Sequence, residues 1–463
     1  MKLSERLKLT EAADFQAEGR TASRTTSDLP MDPLAEVKHR AQEALYARLG
    51  TRLYDATTTR KQLNTFVREE LERIVAAGGA PLSDDERHQL VAAISEDITG
   101  YGPVQSYLDD PTVTEVMVNG EDSIFIERDG LLELTDTRFS SQDHLRRVIE
   151  RIVANVGRRI DESSPMVDAR LPDGSRVNAI IPPLAVDGAV LTIRKFSRDP
   201  YQVDNLIEFG TLTPQVADLL QACVEGRLNI LISGGTGTGK TTMLNVVSSF
   251  IPEQHRIVTI EDSVELQLHQ RHVVRLESRP PNLEGKGAIE IRDLVRNALR
   301  MRPDRIVVGE VRGAESLDML QAMNTGHEGS LSTVHANSPR DAVSRVETMV
   351  LMAGMDLPVR AIREQLSSAV HLIVHLDRLR DGSRRVTSIS EVVGMEGDVV
   401  TLQAIFEFDH SPGFDDNGKV LGTIRPTGIR PQFSDHLNEM GIELPTGIFG
   451  TPELSLARPR GKK

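Results

Sequence analysis

Residues 228–244, LNILISGGTGTGKTTML, join an apolar run to a glycine loop and match GxxxxGK[ST] with Gly234, Gly239, Lys240 and Thr241. Each residue type has a chemical reason. Glycines let successive backbone N–H groups curl around phosphate oxygens, and a helix start after the loop adds its partial positive charge. Lys240 is then placed to reach β and γ phosphates, and the Thr241 hydroxyl to ligate Mg²⁺. The expected nucleotide-binding residues are Gly234, Gly235, Thr236, Gly237, Thr238, Gly239, Lys240, Thr241 and Thr242, with ATP and Mg²⁺ as expected cofactors.

Such a loop needs acidic partners. DRIVVGEVR (304–312) carries an apolar strand, Ile306 to Val308, ending in Gly309 and Glu310. The aspartate usual at the end of a second nucleotide motif is replaced by Gly309, so Glu310 is expected to polarise the attacking water. HRIVTIEDSVEL (255–266) runs a strand into Glu261, Asp262 and Glu265. Glu261 and Asp262 are expected near Mg²⁺, partly through water, with Glu265 a further catalytic carboxylate. TGHEGSLSTVHAN (325–337) adds two histidines, and imidazole serves as metal ligand, base or reporter near neutral pH. No cysteine and no further histidine cluster lies nearby to complete a zinc site. SLSTV reads as a strand with His327 before it and His335 after it. One or both are expected to donate toward the γ phosphate or the acidic box, coupling nucleotide state to domain movement. The alternative is two structurally satisfied polar residues.

The elements that must position these groups follow from pattern and composition. A chain of 463 residues predicts two or three domains. The formal charge of −14 disfavours broad attraction to phosphate backbones or anionic lipid. One cysteine, Cys223, and no CxxC pair fit a reducing compartment without structural zinc. No cleavable leader is legible, and no uncharged apolar run approaches a membrane span, so a cytoplasmic chain is expected.

Residues 1–31 read as a flexible tail, rich in Thr, Ser, Glu and Arg. Residues 32–100 predict a helical bundle: Leu34 to Leu49, then Leu63, Phe66, Val67, Leu71 and Ile74, then a helix opened by Ser83 and Glu86. Residues 101–196 predict an α+β domain, with strands in VTEVMVNG, SIFIERDG, LLELTDTRF and SRVNAIIPPLAVDGAVLTIRKF and a helix in DHLRRVIERIVANVG. A linker is expected at 197–210. From 211 to 376 strands and helices alternate, as a parallel sheet covered on both faces requires. Its first helix starts at Thr213-Pro214 and buries Cys223 as a small hydrophobe. Residues 377–463 predict two strands and a Gly/Pro-rich tail.

In order, GGTGTGKT, TIEDSVE, GEVR and TGHEGSLSTVHAN resemble the motifs of the secretion and pilus-assembly traffic ATPases. Upstream, DPTVTEVMVNG, RRIDESSPMVDARLPDGSRVNAIIPP and LTIRKF resemble the Tad/Flp pilus assembly branch, the CpaF type, over about 85–376. The type II branch usually carries a four-cysteine zinc module, which one cysteine cannot build. The resemblance implies an α/β, RecA-like P-loop ATPase domain and a hexameric ring of identical chains, with ATP between the N-terminal and P-loop domains at subunit boundaries. It implies that Arg176 and Arg194, and less directly Arg170, approach phosphate, where a guanidinium forms bidentate bonds. It also places the base at Glu310 and leaves the histidines as donors. The implied function is an ATP-hydrolysing motor for Tad/Flp-type pilus assembly or protein secretion. It would work in the cytoplasm, peripheral to the inner membrane, on a polytopic platform protein, handling pilin or a secreted protein indirectly. A DNA-transfer or nucleic-acid motor shares the core. The acidic charge, absence of Trp and few aromatics make nucleic acid a disfavoured partner. Arg292, Arg296 and Arg300, a stripe at i, i+4 and i+8, receive no catalytic role.

Overall fold

The computed structural model describes residues 41, 44–45, 60–77, 83–128, 130–196, 200–281, 286–354 and 356–450. The expected tail and most of the first expected helix lie outside them. The chain divides into two compact units, Met1–Ser197 and Arg198–Lys463.

In the first unit, α1 (Arg60–Ala77) and α2 (Asp84–Thr99) bury Val67, Leu71 and Val75 against Leu90, Val91 and Ile94. After α3 (Gln105–Asp109) come β1 (Val113–Asn119), β2 (Ser123–Arg128) and β3 (Leu131–Leu134). Next are α4 (Gln142–Asn155), β4 (Met166–Arg170), β5 (Arg176–Ile180) and β6 (Val190–Arg194). The six strands form one antiparallel sheet in the order β3-β2-β1-β6-β5-β4. Val116 and Val118 alternate inward from β1 and meet Leu145, Val148, Ile149 and Ile152 of α4. Ser141 caps α4 by accepting the His144 N–H. Strand β4 is absent from the pattern reading, because its residues are half-buried or exposed and show no alternation.

The second unit opens with α5 (Val203–Glu208) and α6 (Pro214–Glu225), followed by β7 (Ile230–Gly234), α7 (Lys240–Ser249), β8 (Ile257–Glu261) and β9 (Val273–Glu277). Then come α8 (Ile291–Ala298), β10 (Arg305–Val311), α9 (Glu315–Asn324), β11 (Leu331–His335), α10 (Pro339–Met352) and α11 (Val359–Ala369). The chain finishes with β12 (Leu372–Arg378), β13 (Arg384–Glu396), β14 (Val399–Asp409), β15 (Thr423–Pro426) and α12 (Phe433–Glu439). All nine strands make one sheet, β15-β14-β13-β12-β7-β11-β10-β8-β9. It is parallel from β12 to β9, and β13 to β15 extend it antiparallel.

Every residue of β7 and β8 is buried, which explains their continuous apolar runs: helices cover both faces. Thr213 caps α6 by accepting the Val216 N–H, and Cys223 is fully buried with its thiol pKa pushed up by desolvation. Two segments depart from expectation. The expected linker contains α5, whose Leu206 joins the main core. The segment after 377 joins it too, through Ile405, Phe406, Phe433 and Leu437. Glycine and proline punctuation there sets turns, while burial is decided by the sheet edge those turns deliver the chain to.

Candidate nucleotide-binding site

In a parallel sheet the strand C-termini share one edge, the usual place for a ligand. Here that edge collects Gly234 of β7, Glu261 of β8, Glu310 of β10 and His335 of β11. The loop after β7 turns through Gly237 and Gly239, with φ of 71° and 93°, and α7 begins at Lys240. A Cβ on Gly234 would stand 2.5 Å from the Leu376 carbonyl oxygen, so this position needs glycine for the close approach of β12. Lys240 Nζ donates to the Gly235 carbonyl at 2.8 Å, and Thr238 Oγ1 to the same oxygen at 3.0 Å. Burial pushes the Lys240 pKa down; Glu310 opposes that shift and Arg312 adds to it.

Glu310 owes its orientation to a bulge. Between Val308 and Val311 the β10–β11 register gains one residue on β10, so Gly309 and Glu310 lie where the ladder is interrupted. The Gly309 carbonyl accepts instead from Thr333 Oγ1 at 2.7 Å. Gly309 itself faces β8, and a Cβ there would meet Glu261 Cγ at 2.9 Å. The space of the usual aspartate side chain is therefore filled from the neighbouring strand by Glu261, which is 2% exposed. Arg312, given no role in the sequence reading, donates to Glu310 Oε2 at 2.6 Å and lies 3.7 Å from Asp262. Its pKa is raised, first by the hydrogen bond to Glu310. Only the charge in GEVR hinted at it.

The acidic box divides. Glu261 Oε2 accepts the backbone N–H groups of Glu265, at 2.7 Å, and Leu266, at 2.9 Å, and so clamps its own turn. Asp262 is exposed and accepts from Ser278 Oγ at 2.7 Å. Among the described residues no group of three or more His, Cys, Asp or Glu side chains is spaced to hold a metal. Mg²⁺ bound to a nucleotide keeps several waters and takes only one or two protein oxygens. A threonine hydroxyl in the first turn of α7 and carboxylates on the same edge fit that requirement.

The two histidines separate. His335 pairs in register with Gly234, at the head of the loop. Its pKa is lowered by burial first, then by Lys240 and Arg345. Of the two candidate phosphate donors, only His335 lies at the C-terminal end of its strand. His327 precedes β11 by four residues, near Ser330, whose carbonyl accepts the N–H of Ile230 where β7 begins. It therefore belongs to the opposite edge, a strand length away.

In the first unit, Arg176 pairs with Arg194 across β5 and β6, and with Arg170 across β4 and β5. Three guanidinium groups thus stand in one cross-strand row, with Glu115 beyond Arg194. Like charges directly opposite one another are unfavourable, and Glu115 offsets the charge at the Arg194 end of the row. The Arg292 and Arg296 stripe is structural: both donate to Asp318 at 2.7 Å.

A model of the type II/IV secretion system protein family matches residues 97–404. The chain belongs to that family. It is 37% identical to the Mycobacterium tuberculosis "Putative conjugal transfer protein" over 346 residues, 73% of this chain and 97% of the relative. It is 32% identical to the type IV secretion system protein VirB11 of Brucella suis, over 63% of this chain and 88% of that one. The solved Brucella suis VirB11 ATPase is 30% identical with a TM-score of 0.35, covering 62% of this chain and 92% of its own. The family assignment makes this chain an ATPase. Among the described residues, no helix is long and apolar enough to cross a membrane.

Proposed function

We propose that the chain is the hexameric ATPase of a Tad/Flp-type pilus assembly or protein secretion machine, working against an inner-membrane platform protein from the cytoplasmic side. The observation that carries the reading is the shared edge on which Lys240, Glu310 and His335 converge, one bulge and one strand apart. Gly234 to Thr242 would cradle ATP, and Thr241 would hold Mg²⁺ with Glu261 and Asp262 acting partly through water. The bound nucleotide and metal supply the phosphoanhydride bond and Lewis-acid neutralisation of its charge. Lys240 neutralises phosphate charge. Glu310, kept in place by Arg312, orients water and accepts its proton. His335 donates toward the γ phosphate, and Glu265 remains a further carboxylate beside Arg312. Arg170, Arg176 and Arg194 supply the guanidinium groups implied by the family resemblance.

Glu310→Gln in the full chain is expected to retain ATP binding and lose turnover by at least about a hundredfold. Undiminished phosphate release would remove Glu310 from the role. The trapped variant should then co-purify a polytopic membrane protein from its host. A DNA-transfer motor is the second reading, favoured by the conjugal-transfer descriptions of relatives. Recovery of DNA, or stimulation of ATPase activity by single-stranded DNA, would reverse the order.

A further inference from the structure

The sequence motifs end at Asn337, yet a side chain far outside them touches the phosphate loop. Arg384, the first residue of β13, donates from Nε to the Gly237 carbonyl at 3.0 Å. Its Cδ lies 3.6 Å from where a Cβ on Gly239 would stand, so the arginine stem runs along the outer wall of the loop. In a loop of this kind the N–H groups serve the anion from the concave side, and the carbonyls point away. A donor on an outward carbonyl therefore fixes the orientation of the peptide groups that face inward.

The turn that carries Arg384 is itself held. Leu379 and Ser383 close it through an N–H···O bond of 2.8 Å. Asp381 Oδ1 accepts the Ser383 N–H at 3.0 Å and its hydroxyl at 2.6 Å, while Oδ2 accepts the Val420 N–H at 2.9 Å. The next residue, Arg385, donates to the Phe209 carbonyl at 3.0 Å. One turn thus joins the phosphate loop, the segment before α6 and the loop before β15. On its other side β12 is tied to β7, with His375 Nδ1 2.8 Å from the Ser233 hydroxyl.

We propose that Arg384 is a positioning residue for nucleotide binding, holding the phosphate loop in its anion-binding shape from the β12–β13 turn. Nucleotide affinity is then set partly by C-terminal strands that lie outside every nucleotide motif. The inference rests on the reading of residues 234–242 as the nucleotide site.

The test uses the full chain and Mg²⁺-ADP, with dissociation constants from calorimetry and KM and kcat from phosphate release with ATP. Arg384→Ala is expected to raise Kd and KM by about three- to tenfold, the range for one exposed charge-assisted hydrogen bond, with kcat within about twofold. The melting temperature should not move, because Arg384 is exposed. Arg384→Lys should recover most of the affinity, since an ammonium still reaches an outward carbonyl. Unchanged Kd in Arg384→Ala, or a fall in kcat at constant KM, would overturn the proposal. If Arg384→Ala melts early, Arg384→Met, which keeps the stem and lacks the donor, decides: wild-type melting with a raised Kd supports the proposal, and wild-type melting with wild-type Kd overturns it. Lys240→Ala separates the two levels. Retained affinity there would defeat the nucleotide-site reading itself, whereas lost affinity there with retained affinity in Arg384→Ala defeats only the role of Arg384.

Discussion

The residues that matter most are defined by what lies across from them. His335 faces Gly234 in the next strand, and its imidazole pKa is lowered by burial and by Lys240 and Arg345. Whatever its charge, an imidazole carries an N–H that donates to a phosphate oxygen. His335→Ala is therefore expected to lower ATP turnover by about tenfold or more, by loss of a preorganised donor. His327→Ala, on the opposite edge, should leave turnover within about twofold; steady-state phosphate release on the pair checks both. Equal losses from the two substitutions would contradict the division of roles.

Elements explain why a residue departs from the usual pattern. Glycine at 309 looks like a lost metal ligand in the sequence, but β8 and β10 run in parallel register with Ile260 beside Val308, which brings Glu261 beside Gly309. Restoring the common residue with Gly309→Asp would drive its Cβ to within 2.9 Å of Glu261 Cγ. The expected result is a loss of about 1–3 kcal/mol, as for overpacked cores, read as a lower urea midpoint. A second glycine follows the same logic. A Cβ at Gly329 would collide with the guanidinium of Arg305, which is fully buried and donates to the carbonyls of Val224 at 2.7 Å and Gly329 at 3.3 Å. The glycine of the histidine box thus serves the sheet's far edge. Burial holds the Arg305 pKa down to about 10, which leaves it charged at any physiological pH.

At the scale of the whole molecule, acid is the predicted weakness. His255, His371 and His375 all have pKa values lowered chiefly by burial. A folded state that resists protonation binds fewer protons than the unfolded chain below pH of about 6.5, so stability rises with pH there and is lost as pH falls. The loss should continue until the depressed folded values are passed. Melting temperatures of the full chain are expected to drop between pH 7 and 5, and His375→Asn should flatten that slope. A midpoint independent of pH across this range would rule the explanation out.

Much of this was legible without coordinates. The glycine loop, Lys240, Glu310 and the fully buried strands are local patterns, because phosphate binding and burial on both faces each demand residue types at fixed spacing. The ordered motifs also carried the family. Other features depend on which strands become neighbours. The cross-strand arginine row, the Glu261 side chain filling the Gly309 space and the bulge that turns Glu310 are properties of the register between strands. So is the separation of the two histidines, which β11 carries to opposite edges. Arg384 lay furthest from reading, 147 positions from the carbonyl it binds. Sequence spacing sets what a side chain is able to do, while only the tertiary pairing of strands decides what it stands beside.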